Sequence, residues 1–357
     1  MMRDQLFRPR SRTEAIQVPE PLRSPVAALR ELTQRSMSVD EVAQGCSKIA
    51  RWAFETGYLR IASTFAHTAA TVKPDDPELA FAVGQSTRNA GRYAYAEAWF
   101  QRSIGLARRK KNREMLSSAY FGLGIMHEMR GERELARATF EKAMRAAVSG
   151  NIASLAASAH QYLIPLTMSE YKEGFAHAVE ALRLYPPDDP LLARLAVDAG
   201  ALFSEHSHFQ LAYDLYEAAL PFLTRLSDRL AVYANVCRAA AALGLKHRFA
   251  EAWGEMDRIA LTFRHDSRDR VLPVLYGESL VELTHGLITL HYWKHAAQVL
   301  AEVQTIGTLR PQTVRTVGRL TEIVEDRAQG DQNRDAGADA VAFTTELQSR
   351  IAKLPRP

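Results

Sequence analysis

Residues 120–144 read YFGLGIMHEMRGERELARATFEKAM. Small residues (Gly122, Gly124, Gly131, Ala136, Ala143) alternate with bulky ones (Tyr120, Leu123, Phe140). A glycine inside a helix costs roughly 1 kcal/mol relative to alanine, yet everything around these glycines favours helix. The stretch is therefore either a ligand loop or a packing device. A dinucleotide-binding loop needs a third glycine and a preceding strand, and Gly122-Leu-Gly124 has neither. Spacing decides for packing. Gly84, Gly91, Ala96 and Phe100 stand at the same separations as Gly124, Gly131, Ala136 and Phe140.

The pattern continues in both directions. Its small central residue recurs at Ala62, Ala96, Ala136, Gly174, Ala212, Ala252 and Ala296, in steps of 34, 40, 38, 38, 40 and 44 residues. Period-2 alternation bounded by hairpin turns is absent, and helical periodicity is broken at intervals by short polar turns. A period of this length in helical sequence means stacked helix pairs. The aromatic, Leu-Gly, turn glycine and Ala-x-x-x-Phe pattern resembles the tetratricopeptide repeat (TPR) family. The resemblance implies an all-α fold, an α-solenoid winding as a right-handed superhelix of about seven helix pairs. The second and third copies match it closely; the fourth, sixth and seventh depart from it.

Punctuation agrees with helix pairs. Ser38-Val-Asp-Glu41 is a capping box. KPDDPELA (73–80) and YPPDDPLLA (185–193) each set Asp before Pro, predicting Asp76 and Asp189 as N-caps with Pro77 and Pro190 as first helical residues. The expected organisation is a flexible Arg/Pro-rich arm over 1–23, a capping helix over 24–37, the repeat array over 39–309, a capping helix over 310–326, a polar linker over 327–338 and an amphipathic helix over 339–357. In that last helix Phe343, Leu347, Ile351 and Leu354 share a face.

Bulk properties narrow the function. The chain has 357 residues, a formal net charge of +4 and two cysteines, Cys46 and Cys237. Two distant cysteines are not a disulfide framework, and a reducing, cytoplasmic setting is expected. The first residues lack the apolar core of a secretory signal, and no run approaches the roughly 20 apolar residues of a membrane span. No Ser-His-Asp, Cys-His or paired-carboxylate arrangement stands out, so no enzyme, cofactor or metal site is expected. Glu205-His206-Ser207-His208 reads as an exposed turn rather than a zinc site, because histidines two apart need extended backbone to share a metal.

In the family that the chain resembles, the first helix of each pair lines a concave face. By register this places Arg51 and Phe54 there, then Phe81, Gln85, Arg88 and Asn89, then Ser118, Phe121, Ile125 and Glu128. The later repeats contribute His160 and Ile164, then Arg194 and Ser204, then Cys237, then His285. Pro165 is expected to bend its helix. The second half of this lining reads as small and apolar apart from Arg194 and His285. Gly122 falls on the same side, where a partner would come close.

The resemblance implies a non-enzymatic scaffold that binds a protein or peptide in the groove. An alternative is a bacterial peptide- or ligand-sensing regulatory module that acts by changing superhelix shape. Such modules usually carry a further domain ahead of the repeats, and about 38 residues precede them here. Family members that clamp a C-terminal carboxylate use Lys and Asn on successive first helices; here those places hold Ser47 and Arg51, Ala82, then Ser118 and Gly122, so only Arg51 fits. Arg108, Arg109, Lys110, Lys111 and Arg113 read first as cations complementing a helix C-terminus, and second as a dock for an anionic partner. Aromatic interleaving for base stacking is missing, so a nucleic-acid partner is not expected.

Overall fold

The computed structural model describes residues 27–29, 32, 37–264, 272–306, 309–326 and 338–351. Among them are sixteen α-helices, one 3-10 turn (Leu220–Phe222) and no strand. Fourteen of the helices follow in order as seven successive helix–turn–helix segments: α1 (Val39–Glu55) and α2 (Leu59–Val72); α3 (Pro77–Asn89) and α4 (Tyr93–Arg109); α5 (Arg113–Met129) and α6 (Arg133–Ser149); α7 (Ala153–Leu163) and α8 (Tyr171–Leu184); α9 (Leu191–Glu205) and α10 (Phe209–Ala219); α11 (Leu226–Ala242) and α12 (Lys246–Arg264); α13 (Leu272–Thr289) and α14 (Trp293–Gln304). Two further helices, α15 (Pro311–Asp326) and α16 (Ala338–Ile351), close the described chain. The arm over 1–23, most of the N-terminal cap and the linker over 327–337 lie outside the described residues.

The chain divides into two compact units at Met126/His127, a boundary inside α5 that the repeat pattern does not signal. In the first unit Phe100 is fully buried. Its ring fills the space above two glycines: a Cβ added at Gly84 or at Gly122 would lie 2.7 Å from it. Gly122 is thus a packing hole, filled by Phe100 and Phe81, and not a free approach for a partner. A second cluster joins Ala50, Ala66, Ala70 and Val83. In the second unit Gly200 repeats the device with Tyr216, which a Cβ would meet at 2.6 Å. One continuous apolar core runs there from Ala157 to Leu347.

The turns inside pairs share one geometry. Gly57, Gly91, Gly131 and Gly244 all take positive φ between 71° and 80°. After α9 and α13 the same left-handed position falls to Ser207 and His291. Each turn returns an N–H to the helix five residues back, as in Glu132 N–H to His127 C=O and Tyr292 N–H to Leu287 C=O, which satisfies a terminal carbonyl. Lost glycines therefore weaken the sequence signal of these repeats without changing the fold. The fourth pair differs: α7 ends at Leu163, so Pro165 terminates the helix rather than bending it.

N-caps follow the sequence at Ser38, whose hydroxyl and Glu41 cap each other reciprocally, and at Asp76, which accepts from Glu78 N–H at 2.9 Å. Asp189 accepts from Leu191 N–H at 2.9 Å, and Pro190 stands just before α9 rather than inside it.

Candidate interaction groove

In the first unit α1, α2 and α3 enclose a cleft of about 310 Å³. Arg51 and Phe54 reach it from α1, Gln85 from α3, together with Ser47 and Glu78. Arg51 is exposed and Phe54 is 37% exposed, so an aromatic face and a guanidinium stand side by side at the opening. Ala62 and Ala66 of α2 form part of the lining, where small side chains leave room. Of the other residues expected on this face, Asn89 is exposed and accepts from Arg88 Nε at 3.1 Å. Arg88 is buried and donates to the Gly122 carbonyl, bracing α3 against α5. Phe81 leans on Phe100 with ring centres 5.8 Å apart. Ser118, Phe121 and Ile125 are half-buried along α5.

The basic turn of this unit is an open surface. Arg108, Arg109, Lys110, Lys111 and Arg113 are all exposed, and none has a carboxylate within ion-pairing distance among the described residues. Arg108 lies over the Tyr120 ring and donates to its hydroxyl.

In the second unit the groove differs from the sequence expectation. Cys237 is fully buried, its Sγ 3.8 Å from the Phe249 carbonyl and 3.9 Å from Met256 Sδ, facing α12; burial pushes its thiol well above the ordinary range. Ile164 and Ser204 are also packed inside. His160 turns to its own pair partner, with Nδ1 2.9 Å from His177 Nδ1. Burial and the neighbouring His160 hold His177 down at about 4.

The positions that join successive first helices are polar and at least half-buried. On α7, Gln161 donates to Asp198 of α9 at 2.6 Å and accepts from the Tyr185 hydroxyl at 2.7 Å. On α11, Arg238 meets Glu282 of α13 at 3.1 Å and Glu205 of α9 at 3.8 Å. Gln161, Asp198, Arg238 and Glu282 recur at intervals of 37, 40 and 44 residues, tracking the repeat. The apolar floor is therefore corrected to a polar ladder between successive first helices. Burial raises Asp198 to about 6 against the pull of Arg194, and the Gln161 hydrogen bond opposes it further.

Arg194 is exposed on α9 with its guanidinium over the Tyr162 ring, 5.6 Å from the centroid. His285 is half-buried beside this ladder, its basicity lowered first by burial. Glu128 lines a cleft of about 300 Å³ with Arg133, Glu134, Arg310, Gln312 and Arg315, and burial raises its carboxyl.

The remaining sequence candidates are structural. His206 Nε2 is 2.8 Å from the Met168 carbonyl, and both His206 and His208 sit edge-on to Tyr171. They are half-buried packing groups, not an exposed turn. No described helix is long and apolar enough to cross a membrane.

Stacked helix pairs with glycine-and-aromatic seams define the chain as a helical-repeat protein of the α-solenoid class. Residues 78–147 match the tetratricopeptide repeat family, and the all-α helical-repeat fold extends beyond that segment. Similar solved structures include a chain of the APC/C hetero-tetramer Cut9–Hcn1, at 15% identity over 82% of this chain and 51% of that chain, TM-score 0.56. This chain thus spans about half of that one. The apo form of RapI matches at 13% identity over 67% of this chain and 90% of that chain, TM-score 0.53. BtubC from P. vanneervenii matches at 14% identity, 66% and 95% coverage, TM-score 0.47, too low to bear on the argument. These likenesses concern the fold alone. None of the curated proteins matches the sequence.

Proposed function

We propose that this chain is a non-enzymatic interaction module that holds a peptide segment of a partner protein along its first-helix faces. The observation that carries the reading is the α1–α3 cleft. A concave opening that pairs an exposed aromatic ring with an unpaired cation is the usual anchor of a peptide site. Its volume suits one or two side chains. The fitting segment sets an apolar side chain against Phe54 and a carboxylate against Arg51, with Gln85 free to bond its backbone. The APC/C hetero-tetramer Cut9–Hcn1, a complex of the same fold, is in keeping with an interaction role.

The test is selection of random peptides on the full chain, followed by affinity measurement with the variants Arg51→Glu and Phe54→Ala. Selected peptides should carry an acidic residue near an apolar one, and each variant should weaken them at least tenfold with helix content unchanged. Peptides that bind both variants as well as the parent chain defeat this reading.

A further inference from the structure

Helix α16 lies against α8, α9 and α10, more than a hundred residues earlier in sequence. Phe343, Leu347 and Arg350 contribute to the attachment, with Thr344 buried beside them. Phe343 is 6% exposed and stands edge-on to Phe175 and Phe203, at centroid distances of 5.5 and 6.0 Å. Leu347, one turn on, is fully buried. Arg350 donates to the Leu182 carbonyl at 2.7 Å. That carbonyl is in the last turn of α8, where carbonyls lack a helical partner and the helix dipole favours a cation. The anchors fall at i, i+4 and i+7, the spacing by which an amphipathic helix reads a groove. Val341, Glu346 and Ser349 face away and are exposed.

The rings that receive α16 also pack on one another. Tyr171 and Phe175 stack with parallel rings 5.8 Å apart, and Phe175 tilts onto Phe203 at 6.1 Å. His208 Nδ1, beside Tyr171 and Phe203, is buried with no hydrogen-bond partner among the described residues. By contrast α16 has 14 residues, a length at which an isolated helix is marginal in water. As part of the same chain it docks intramolecularly, so occupancy does not require high intrinsic affinity.

We propose that this face is a docking site for an amphipathic helix bearing Phe, Leu and Arg at i, i+4 and i+7, which α16 fills as a tethered occupant and a partner protein's helix of that pattern displaces. The site belongs to the second-helix side of the fourth and fifth pairs. It stands whether or not the first-helix cleft binds peptide.

The probe is a fluorescent, end-capped synthetic peptide of residues 338–351, tested against the full chain and the full-chain variant Phe343→Glu/Leu347→Glu. The peptide should bind the variant at least tenfold more tightly than the parent. A peptide carrying Phe343→Ala should lose that binding. Amide exchange over 338–351 in the parent should be at least tenfold faster than in α8 and α10, and faster still with excess peptide. Equal binding to parent and variant, or none to either, overturns the proposal. Concentration-dependent dimers formed by exchange of α16 between copies also overturn it, assigning the surface to self-association. If the double variant loses helix content beyond α16, Arg350→Ala replaces it, with at least threefold tighter peptide binding expected and unchanged binding counting against the proposal.

Discussion

Gly122→Ala isolates what the two-glycine seam does. In a solvent-exposed helix this change would stabilise by roughly 1 kcal/mol. Here the new Cβ would lie 2.7 Å from Phe100 Cε1 and 3.0 Å from both Phe100 Cζ and Phe81 Cε2. Phe100 has little room to retreat, because it is fully buried and the same ring edge already lies 2.7 Å from the Cβ position of Gly84. Overpacking costs about 1–3 kcal/mol, so the propensity gain is cancelled or outweighed and a net loss of up to about 2 kcal/mol is expected. Exchange of α3–α5 backbone amides, read by mass spectrometry, reports this locally as a loss of protection of up to roughly 30-fold. A local readout suits a repeat array, whose stability is a sum over neighbours. Phe100→Leu removes the obstructing ring edge, so the double variant should be more stable than the sum of the single losses by at least about 0.5 kcal/mol. Strict additivity, or a Gly122→Ala chain with increased protection, would refute the packing account. Gly131→Ala is the contrast: nothing lies within 4 Å of its Cβ, and its φ of +75° alone should cost about 1–2 kcal/mol.

Phe140→Ala should destabilise by about 3–5 kcal/mol, read from the urea midpoint, because Phe140 is fully buried against Tyr162. Asp198→Asn should raise the melting temperature above about pH 6 and leave it unchanged below about pH 4. The folded state holds the Asp198 proton up to about 6, so the stability it contributes is complete below the unfolded value of roughly 3.9 and is lost as pH rises through 6. His177 runs the opposite way: its folded value near 4 lies below the unfolded value of roughly 6.5, so its contribution is complete above 6.5 and is lost as pH falls through 4. His177→Gln should flatten that part of the melting-temperature profile.

Packing was legible because it leaves a periodic mark. A small residue recurring at the repeat step falls in the second helix of each pair, with an aromatic four residues on at Phe100, Phe140 and Tyr216, even where Ser207 or His291 replaces the turn glycine. The groove register in the second unit was not legible. In α11, Leu230, Val232, Tyr233, Ala234, Val236, Cys237, Ala239, Ala240 and Ala241 are all buried, so almost the whole circumference is packed and no apolar stripe marks the inner face. A charge inside such a segment was the usable signal. Arg238 is the one charged residue between Leu230 and Ala242, and its equivalents Asp198 and Glu282 recur at the repeat step. Likewise the apolar face of α16 is plain from Phe343 and Leu347, whereas its seat on Phe175 and Phe203 follows from tertiary contacts that no local pattern encodes. For Ile351 and Leu354, expected on the same face, the side chains lie outside the described residues.

The most direct measurement is photo-crosslinking of a selected peptide carrying a benzophenone at its apolar anchor, with attachment sites mapped on the full chain. The account predicts attachment within 47–54 of α1 and 78–86 of α3, competed by unlabelled peptide and lost in Arg51→Glu. Attachment confined to the second helices α2 and α4, or unaffected by competitor, would contradict it.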